Sequence, residues 1–546
     1  MVYFQVFTSF LNFKRVPMLK CAVISLGCPK NLVDSEQMLG LLQQHSVSPC
    51  LEVEEADIVI VNTCGFLAAS REEALENIRE METLRMDPNS PLRCLIAAGC
   101  LVTRDKEELI ASCPKVDAFL DVFSRDSVLE AVGKIFPEIL SPILRENVSR
   151  DSNFKLISEK QEDNSVENDQ SFEKLLPQSI KGTADLNSKI CLPGNNSENY
   201  SLPVFEKTEP IGETYYEKMS GIASDPHRFP LLPPHIAYLK IAEGCDRRCA
   251  FCAIPNIRGK FRSKPMREIL EEARRLAAQG VKEVILIAQE TSRYGIDLRN
   301  SDGTRTEDTL ANLLRLLNEI DGIRWIRVQY LYPQDFSEEL VSAFAETPKV
   351  VPYVDMPLQH INDRILRAMR RSAGREETIA LLTRLRERIP ELVIRTAFIA
   401  GFPGETKAEF EELLAFLRKQ KFERVAVFQF SPEEGTPAAE MEKQVPEKIS
   451  LKRTNDLILT QKRISAEWTR KQLGKTMEVL LDAETEEEGV FLGHSPFSAP
   501  DIDGVVYVSA DEGFPETLEV GEFYLCEIVD CDEYDLYAVP LKKINE

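Results

Sequence analysis

The segment EGCDRRCAFCAIP, residues 243–255, decides how this chain is interpreted. It places three cysteines, Cys245, Cys249 and Cys252, within eight residues, directly after an apolar run. Three thiols at this spacing can surround one compact metal centre, and thiolates favour iron–sulfur clusters or zinc. No other Cys or His occurs from residue 236 to 263, whereas a structural zinc site needs further ligands nearby. A cluster with one open iron is therefore favoured over zinc and over three unrelated core cysteines.

The sequence around this segment alternates apolar runs with amphipathic stretches of helical period. Six such units follow one another from about residue 234 to residue 440, starting with HIAYLKIAEGC, VKEVILIAQE and IRWIRVQYLYP and ending with KVVPYVDMPLQH, LVIRTAFIAGFPGE and ERVAVFQFSP. Because eight units close the usual α/β barrel, six predict a partial (β/α)6 barrel. After residue 475, short alternating strands separated by Gly, Pro and Asp predict a small all-β module.

A second group of cysteines lies in the amino-terminal part of the chain. Cys28, Cys64 and Cys100 are each 36 residues apart, and each follows an apolar run in SLGC, VNTCG and AAGC. The carboxyl ends of parallel strands open into one crevice, so a βαβ domain would bring these thiols together. This arrangement predicts a second metal site, with buried structural thiols as the alternative. The remaining seven cysteines have no comparable arrangement.

Length and composition indicate several globular domains. The chain has 546 residues, 43% of them hydrophobic and 28% charged, and it is too long for one core. The sequence predicts an α/β protein with residues 1–17 as an extension, residues 18–140 as the βαβ domain and residues 141–232 as a largely disordered insert. The barrel follows at residues 233–472, and the β module at residues 473–546.

The cysteine content and the absence of a secretory pattern predict a reducing, cytoplasmic location. Thirteen cysteines occur, while Lys14 and Arg15 follow the apolar start of the chain instead of preceding it. No apolar stretch approaches the length of a membrane span. Of the histidines, His494 lies in sequence typical of loops, and His360 stands at a strand end with a structural role favoured.

These motifs resemble those of a known enzyme superfamily. C-x3-C-x2-C after the first strand of a partial barrel resembles the radical S-adenosylmethionine (SAM) superfamily. The added three-cysteine domain and a TRAM-like β module are similar to the methylthiotransferases. Within these, SLGCPKNLVDSE, EGCDRRCAFCAIPNIRGKFRSKP and SAPDIDGVVYV resemble the branch that modifies an aspartate of a small-subunit ribosomal protein of the S12 type (RimO type). The insert departs from the compact connection usual in that family.

The resemblance implies two 4Fe–4S clusters, one on each group of three cysteines, and SAM as both methyl donor and radical source. A radical formed at the second cluster would abstract a hydrogen from the β-carbon of the aspartate, to which a methylthio group is then transferred. Since the cofactors perform the hard chemistry, no side-chain base is required. The ends of barrel strands suggest SAM contacts at Gln289, Glu290, Gln359 and Arg395, and Phe251 could present its backbone to the adenine. Each has an ordinary salt bridge or packing contact as its alternative.

Charge favours a protein substrate. Residues 476–546 contain 19 acidic and 2 basic residues, and the insert is also acidic, so the rest of the chain is nearly neutral. An acidic module would repel RNA and suit a basic ribosomal protein; the alternative is that its acidity serves solubility alone. We expect Glu484, Glu486, Glu487, Glu488, Asp501 and Asp503 on the docking side, no stable nucleic-acid binding, and a monomer that needs an electron donor and a sulfur donor. A transfer RNA methylthiotransferase (MiaB type) and an iron–sulfur carrier or scaffold are the alternatives.

Overall fold

The computed structural model describes residues 19–139, 228–510 and 514–544. The extension 1–17 and the greater part of the insert 141–232 lie outside these ranges, so the expectations for them have no structural counterpart here. Short 3-10 turns occur at Val53–Glu55, Arg125–Ser127, Pro137–Ile139, Thr291–Arg293 and Pro333–Asp335. No helix within the described ranges is both long enough and apolar enough to cross a membrane.

The amino-terminal unit is a five-stranded parallel sheet in the order β2-β1-β3-β4-β5. Its central strands β3 and β4 are buried along their whole length, which explains why they read as continuous apolar runs. Separate cores fill the two faces of the sheet. The elements are β1 Leu19–Ser25, α1 Pro29–Gln43, β2 Val47–Pro49, β3 Ile58–Thr63, α2 Ala68–Met86, β4 Cys94–Gly99, α3 Cys100–Arg104, α4 Lys106–Ser112, β5 Ala118–Leu120 and α5 Val128–Ile135.

The central unit is a six-stranded parallel sheet in the order β13-β12-β11-β10-β9-β6, which confirms the predicted partial (β/α)6 barrel. Helices cover it on the outside and bury the largest core of the molecule. Its strands are β6 Ile236–Lys240, β9 Glu283–Ile287, β10 Trp325–Val328, β11 Val350–Asp355, β12 Val393–Ala400 and β13 Arg424–Gln429, with a small β7–β8 pair at Ala242–Glu243 and Arg262–Ser263.

The helices of this unit follow the strands in the expected alternation. Two of them, α8 and α12, begin at threonines whose side chains accept a hydrogen bond from the first-turn backbone, a frequent helix-starting device. The helices are α6 Ile254–Arg258, α7 Met266–Ala278, α8 Leu310–Asn318, α9 Glu338–Glu346, α10 Asp363–Ala368, α11 Arg375–Arg388, α12 Lys407–Gln420 and α13 Glu447–Arg470.

The carboxyl-terminal unit is a closed five-stranded barrel, as predicted for an all-β module. Its strand order is β14-β15-β16-β18-β17, and closure leaves no long free edge. Apolar side chains from all five strands enclose a compact core. The strands are β14 Thr476–Glu484, β15 Val490–His494, β16 Val506–Ser509, β17 Phe523–Cys531 and β18 Leu536–Lys543.

A buried ionic network joins this small barrel to the central sheet. His494 ends β15, where one ring nitrogen contacts Glu283 and the other lies 2.7 Å from Asp482. Glu283 also accepts from Arg327 at 2.7 Å. These acids outweigh the effect of burial and raise the pKa of His494 to about 9. The interpretation of His494 as a loop histidine was therefore wrong, because its role depends on a contact between distant segments.

The expected docking position of Asp503 was also wrong. Its side chain is 5% exposed and accepts hydrogen bonds from the Tyr353 hydroxyl at 2.6 Å and the Ala499 N–H at 2.9 Å. Asp503 thus lies inside the junction between the small barrel and the central unit. The other five acids of that expectation are exposed, and they are called here the acidic tail residues: Glu484, Glu486, Glu487, Glu488 and Asp501.

Candidate functional site

The first candidate site is a cavity that contains the barrel thiol set, Cys245, Cys249 and Cys252. The cavity has a volume of about 530 Å³ and lies beside the loop that follows β7. The chain is tightly folded there, since a side chain on Gly244, whose φ is +73°, would meet the Lys260 carbonyl oxygen at 2.1 Å. The volume falls within the range typical of small-molecule sites.

Burial controls the ionisation of these thiols. It raises the pKa of Cys245 and of Cys252 to about 12, although a backbone N–H near each opposes the shift. Such thiols stay protonated unless a metal displaces the proton. The cavity wall also carries three basic residues, Arg248, Lys260 and Arg370, with positive charge for an anionic ligand group.

The second candidate site is the amino-terminal thiol set, Cys28, Cys64 and Cys100. The structure places all three at the carboxyl edge of the parallel sheet, where Cys28 precedes α1, Cys64 follows β3 and Cys100 begins α3. Gly27 has a φ of +90°, and a side chain there would meet the Cys64 Sγ at 3.0 Å, so the chains before Cys28 and around Cys64 are in close contact. The predicted convergence of thiols at this edge is confirmed.

The three thiols of this set differ electrostatically. Burial opposes ionisation of Cys28, but the positive charges of Lys30 and Arg258 and two backbone N–H groups lower its pKa overall. Burial raises the pKa of Cys64, and it raises that of Cys100 to about 11 despite the nearby Arg258 guanidinium. Cys28 is therefore the thiol most readily ionised, helped by its place at the start of a helix.

Arg258 connects the two thiol sets. It ends α6, the short helix that follows Cys252, and its side chain is 2% exposed. Its guanidinium donates to the Cys100 Sγ at 3.3 Å, to Asp34 at 2.9 Å and to the side-chain oxygen of Asn31. Such a planar donor with several N–H groups fixes both the distance and the orientation of α6 relative to the amino-terminal unit. One face of α6 also packs on Cys100 through apolar contacts, so the two sites share this helix.

A second contact ties the amino-terminal unit to the wall of the cavity. Glu433 lies in the loop after β13, and its carboxylate accepts from Arg71 at 2.7 Å and from the Ala68 N–H at 3.1 Å. Gly435 and Pro437, two and four residues farther along the same loop, line the cavity of the barrel thiol set. The position of this wall therefore depends on the amino-terminal unit.

Lys30 lies in the crevice beside these groups. It is 6% exposed, and its ammonium stands 3.1 Å from the centroid of the Tyr330 ring, after the end of β10. Burial lowers its pKa to about 8; the charge of Arg258 acts in the same sense, while Cys28, Asp355 and Glu243 oppose it. Within the described ranges, its ammonium makes neither a hydrogen bond nor an ion pair.

Two of the residues suggested as SAM contacts lie after β9. The Gln289 amide donates to Glu243 at 2.7 Å, and its side-chain oxygen is buried without a partner in the described structure. Glu290 is buried and accepts hydrogen bonds from two nitrogens of the Arg247 guanidinium, at 2.7 and 2.9 Å. Arg247 also donates its backbone N–H to the Cys245 Sγ at 3.4 Å. Glu290 thus orients the loop of the barrel thiol set.

The other three suggested contacts are more dispersed. Phe251 packs its ring against the core around Met369, while its backbone N–H and carbonyl have no hydrogen-bond partner in the described ranges. Gln359 has a φ of +73° and pairs its backbone with β12. Arg395 lies in the first half of β12 instead of at its carboxyl end, where it pairs with Asp355 at 2.8 Å. None of the five lines the cavity of the barrel thiol set.

Both thiol sets fit iron–sulfur clusters in donor chemistry, because each gathers three buried or half-buried thiols. In the described parts of the chain, no three Cys, His, Asp or Glu side chains lie close enough together to hold a single metal ion. A four-iron cluster takes each thiolate on a different iron, so its ligands stand farther apart than those of one ion.

Sequence reasoning missed the polar residues of α1 that face the crevice. Lys30, Asn31, Asp34 and Ser35 are buried although they are polar. The signal was available in SLGCPKNLVDSE, where a helix that begins at a cysteine carries few apolar residues in its first turns. Such a helix can be buried only against other polar groups, here Arg258, Lys240 and Arg125.

Comparison with known proteins agrees with this architecture. The chain matches an uncharacterized protein family, UPF0004, over residues 20–121, the radical SAM superfamily over residues 239–417 and the TRAM domain over residues 473–541. A solved radical SAM methyltransferase, TsrM from Kitasatospora setae, is 13% identical and has a TM-score of 0.45, with 87% of this chain and 80% of that chain covered.

Curated relatives are similar over nearly the whole chain. A ribosomal protein uS12 methylthiotransferase RimO from Lachnoclostridium phytofermentans is 36% identical, covering 95% of this chain and 99% of the relative. The protein of the same name from Bdellovibrio bacteriovorus is 37% identical, covering 95% and 96%. Taken with the two thiol sets and the three folded units, this similarity shows that the chain belongs to the RimO family of radical SAM methylthiotransferases.

Proposed function

We propose that this protein transfers a methylthio group to the β-carbon of an aspartate in ribosomal protein uS12. The observation that carries the proposal is the helix α6, which follows Cys252 of the barrel thiol set and contacts Cys100 of the amino-terminal thiol set. A carrier of electrons needs no such link, whereas a transfer between two sulfur-bearing centres and a substrate does. The relatives named above give the substrate class.

In this proposal the barrel thiol set and the amino-terminal thiol set each hold a 4Fe–4S cluster, and SAM binds beside the former. The bound groups supply one-electron chemistry for removing a hydrogen atom from carbon and a methylated sulfur to replace it. Phe251 offers free backbone groups to the adenine of SAM, and Gln289 offers its unpartnered oxygen. Glu290, Gln359 and Arg395 act by holding the surrounding loops and strands.

The residues of the chain exclude water and fix distances. In the barrel thiol set, Cys245 and Cys249 are buried and Cys252 is half-buried, which protects a reactive site from solvent. Arg258 keeps α6 against Cys100, and Glu433 keeps the cavity wall against α2. Both contacts hold the two sites in a constant relation, which a transfer between them requires.

The substrate is a basic protein that docks by charge. The small barrel carries the strong excess of acidic residues noted above, and the acidic tail residues are exposed. Complementary charge accelerates encounter and disfavours wrong partners such as RNA. The protein acts in this proposal as a cytoplasmic monomer that does not bind nucleic acid stably and that receives electrons and sulfur from separate donors.

Mass spectrometry of cells that lack this chain tests the proposal. Ribosomal protein uS12 should lose a methylthio group, while transfer RNA keeps all of its methylthio nucleosides. Restoring the chain should restore the modification, and restoring a Cys245→Ala variant should not. Loss of a methylthio group from transfer RNA, with uS12 unchanged, would replace this proposal by the transfer RNA alternative.

A further inference from the structure

Lys30 is a buried cation whose charge no acid of the described structure neutralises by direct contact. The other basic side chains around the crevice already form ion pairs. Arg258 and Lys240 both pair with Asp34 and Glu243. Arg395 pairs with Asp355. Lys30 has only the face of the Tyr330 ring. An ammonium has three donors, and none of those of Lys30 has an acceptor within the described ranges. They are therefore available to an anionic ligand group that enters the crevice.

The position of Lys30 defines where that partner lies. Lys30 follows Cys28 by two residues, at the carboxyl edge of the amino-terminal sheet. Its ammonium reaches Tyr330, which follows β10 of the central sheet and donates its backbone N–H to Asp355 at the end of β11. The carboxyl edges of the two parallel sheets therefore meet at this ammonium, and ligands of such sheets bind at these edges.

The backbone that presents the ring is held in a rarely populated conformation. Tyr330 has a φ of +62°, and its peptide groups are fixed by hydrogen bonds to Asp355 and from the Thr291 N–H at 3.0 Å. Strain of this kind at a non-glycine residue persists where the surrounding structure requires it, and it is frequent at ligand-binding positions. Attraction between the ammonium and the face of the ring holds the Lys30 side chain in this position.

We propose that the Lys30 ammonium binds the carboxylate of the substrate aspartate. This inference rests on the proposed function and adds the residue that selects the substrate. The β-carbon that reacts is bonded directly to the carboxylate carbon, so a cation that holds the carboxylate also holds the β-carbon within the crevice. A nucleobase has no carboxylate, so the same ammonium would find no carboxylate partner on the base of a transfer RNA substrate.

Binding measured without turnover tests this assignment. Cluster-loaded protein, kept oxidised and without SAM, is titrated with uS12 and with uS12 in which the target aspartate is replaced by asparagine. Asparagine has nearly the same shape but no charge. The wild-type chain should bind the aspartate form roughly 30-fold more tightly or better, the effect of removing one partner of a buried charge pair. Equal binding of the two forms by the wild-type chain would overturn the assignment without any variant.

Two variants of Lys30 complete the test. Lys30→Met should reduce the preference for aspartate to below about threefold, because the ammonium is lost while the length of the side chain is kept. Lys30→Arg should keep a preference of more than about threefold, since the charge remains. Iron content is measured for each variant, and the ratio of the two affinities cancels any loss of loaded protein. A Lys30→Met variant with the full wild-type preference would refute the assignment.

A separate measurement keeps this inference distinct from the proposed function. Wild-type protein supplied with SAM, sulfide and reductant is tested for methylthio transfer to uS12 by mass spectrometry. Absence of transfer would contradict the proposed function itself. Transfer together with an unchanged preference in Lys30→Met would contradict only the role of Lys30.

Discussion

Replacing Arg258 by methionine should loosen the contact between the amino-terminal unit and the central barrel. The substitution keeps the apolar stem of the side chain but removes its hydrogen bonds to Asn31, Asp34 and Cys100. Because Arg258 is 2% exposed, the groups that it leaves behind cannot be satisfied by bulk water. The two thiol sets would then no longer be held to one helix.

The size of the effect follows from the partners that remain. Breaking a buried ion pair by removing one member typically costs about 3–5 kcal/mol. Asp34 keeps Arg125 at 2.8 Å and Lys240 at 2.7 Å, and Glu243 keeps Lys240 at 2.9 Å. Neither acid is left alone, so we expect about 3 kcal/mol, the lower end of that range.

Native-state hydrogen exchange is the appropriate assay, because a protein of three units does not unfold in one step. A loss of about 3 kcal/mol should accelerate exchange of the amides in α3 and α6 roughly 100-fold. The matched control is Arg364→Met: Arg364 is half-exposed and its partner Glu409 keeps the hydrogen bonds from Thr406, so the change should cost at most about 1 kcal/mol. Acceleration below about threefold in α3 and α6 would refute the coupling assigned to Arg258.

Further predictions concern the metal sites, the insert, the junction and the acidic surface. Replacing all three members of the barrel thiol set by alanine should leave about four irons per chain and abolish SAM cleavage. The same change in the amino-terminal thiol set should also leave about four irons per chain but preserve SAM cleavage. Full iron content in this second variant would contradict the metal site on the amino-terminal thiol set. Deleting residues 146–226 with a short Gly/Ser join should preserve iron content and SAM cleavage, and loss of folding would contradict the linker interpretation. The pKa of His494 is raised from 6.5 to about 9 in the folded state, so its stabilising contribution is complete below about pH 6.5 and is lost as the pH rises towards 9. Between pH 6.5 and 9, thermal unfolding of His494→Gln should therefore change less than that of the wild-type chain. Converting the five acidic tail residues to Gln or Asn should weaken binding of uS12 and flatten its salt dependence, and an unchanged affinity would show that they do not dock the substrate.

The regular parts of this fold could be predicted because the hydrophobic period of each segment and its length indicate the same type of element. The segments TMEVLLDAE at 476–484 and FYLCEIVDC at 523–531 have the composition of strands, and they are β14 and β17. The strands β15 and β18 are harder to predict, since one is short and contains a glycine and the other contains Pro540, opposite a register shift in β17. Proline within a strand normally argues against it.

The candidate site likewise has features that the sequence predicts and features that it does not. Cysteine spacing and strand ends are local properties, and they located both thiol sets. The partners of Asp503, His494 and Lys30 depend on contacts between distant segments, which no local pattern encodes. A polar residue in a sequence is expected at the surface unless a partner is known, and these partners become visible only when the three units are assembled.

Reconstitution of methylthio transfer tests the central claim most directly. Anaerobic, cluster-loaded protein is incubated with SAM, sulfide and a reductant in the presence of uS12 and transfer RNA together, and both products are analysed by mass spectrometry. The account predicts a methylthio group on one aspartate of uS12, none on transfer RNA, and no product from a variant that lacks either thiol set. A methylthio group on transfer RNA with uS12 unmodified, or transfer by a variant without the amino-terminal thiol set, would contradict it.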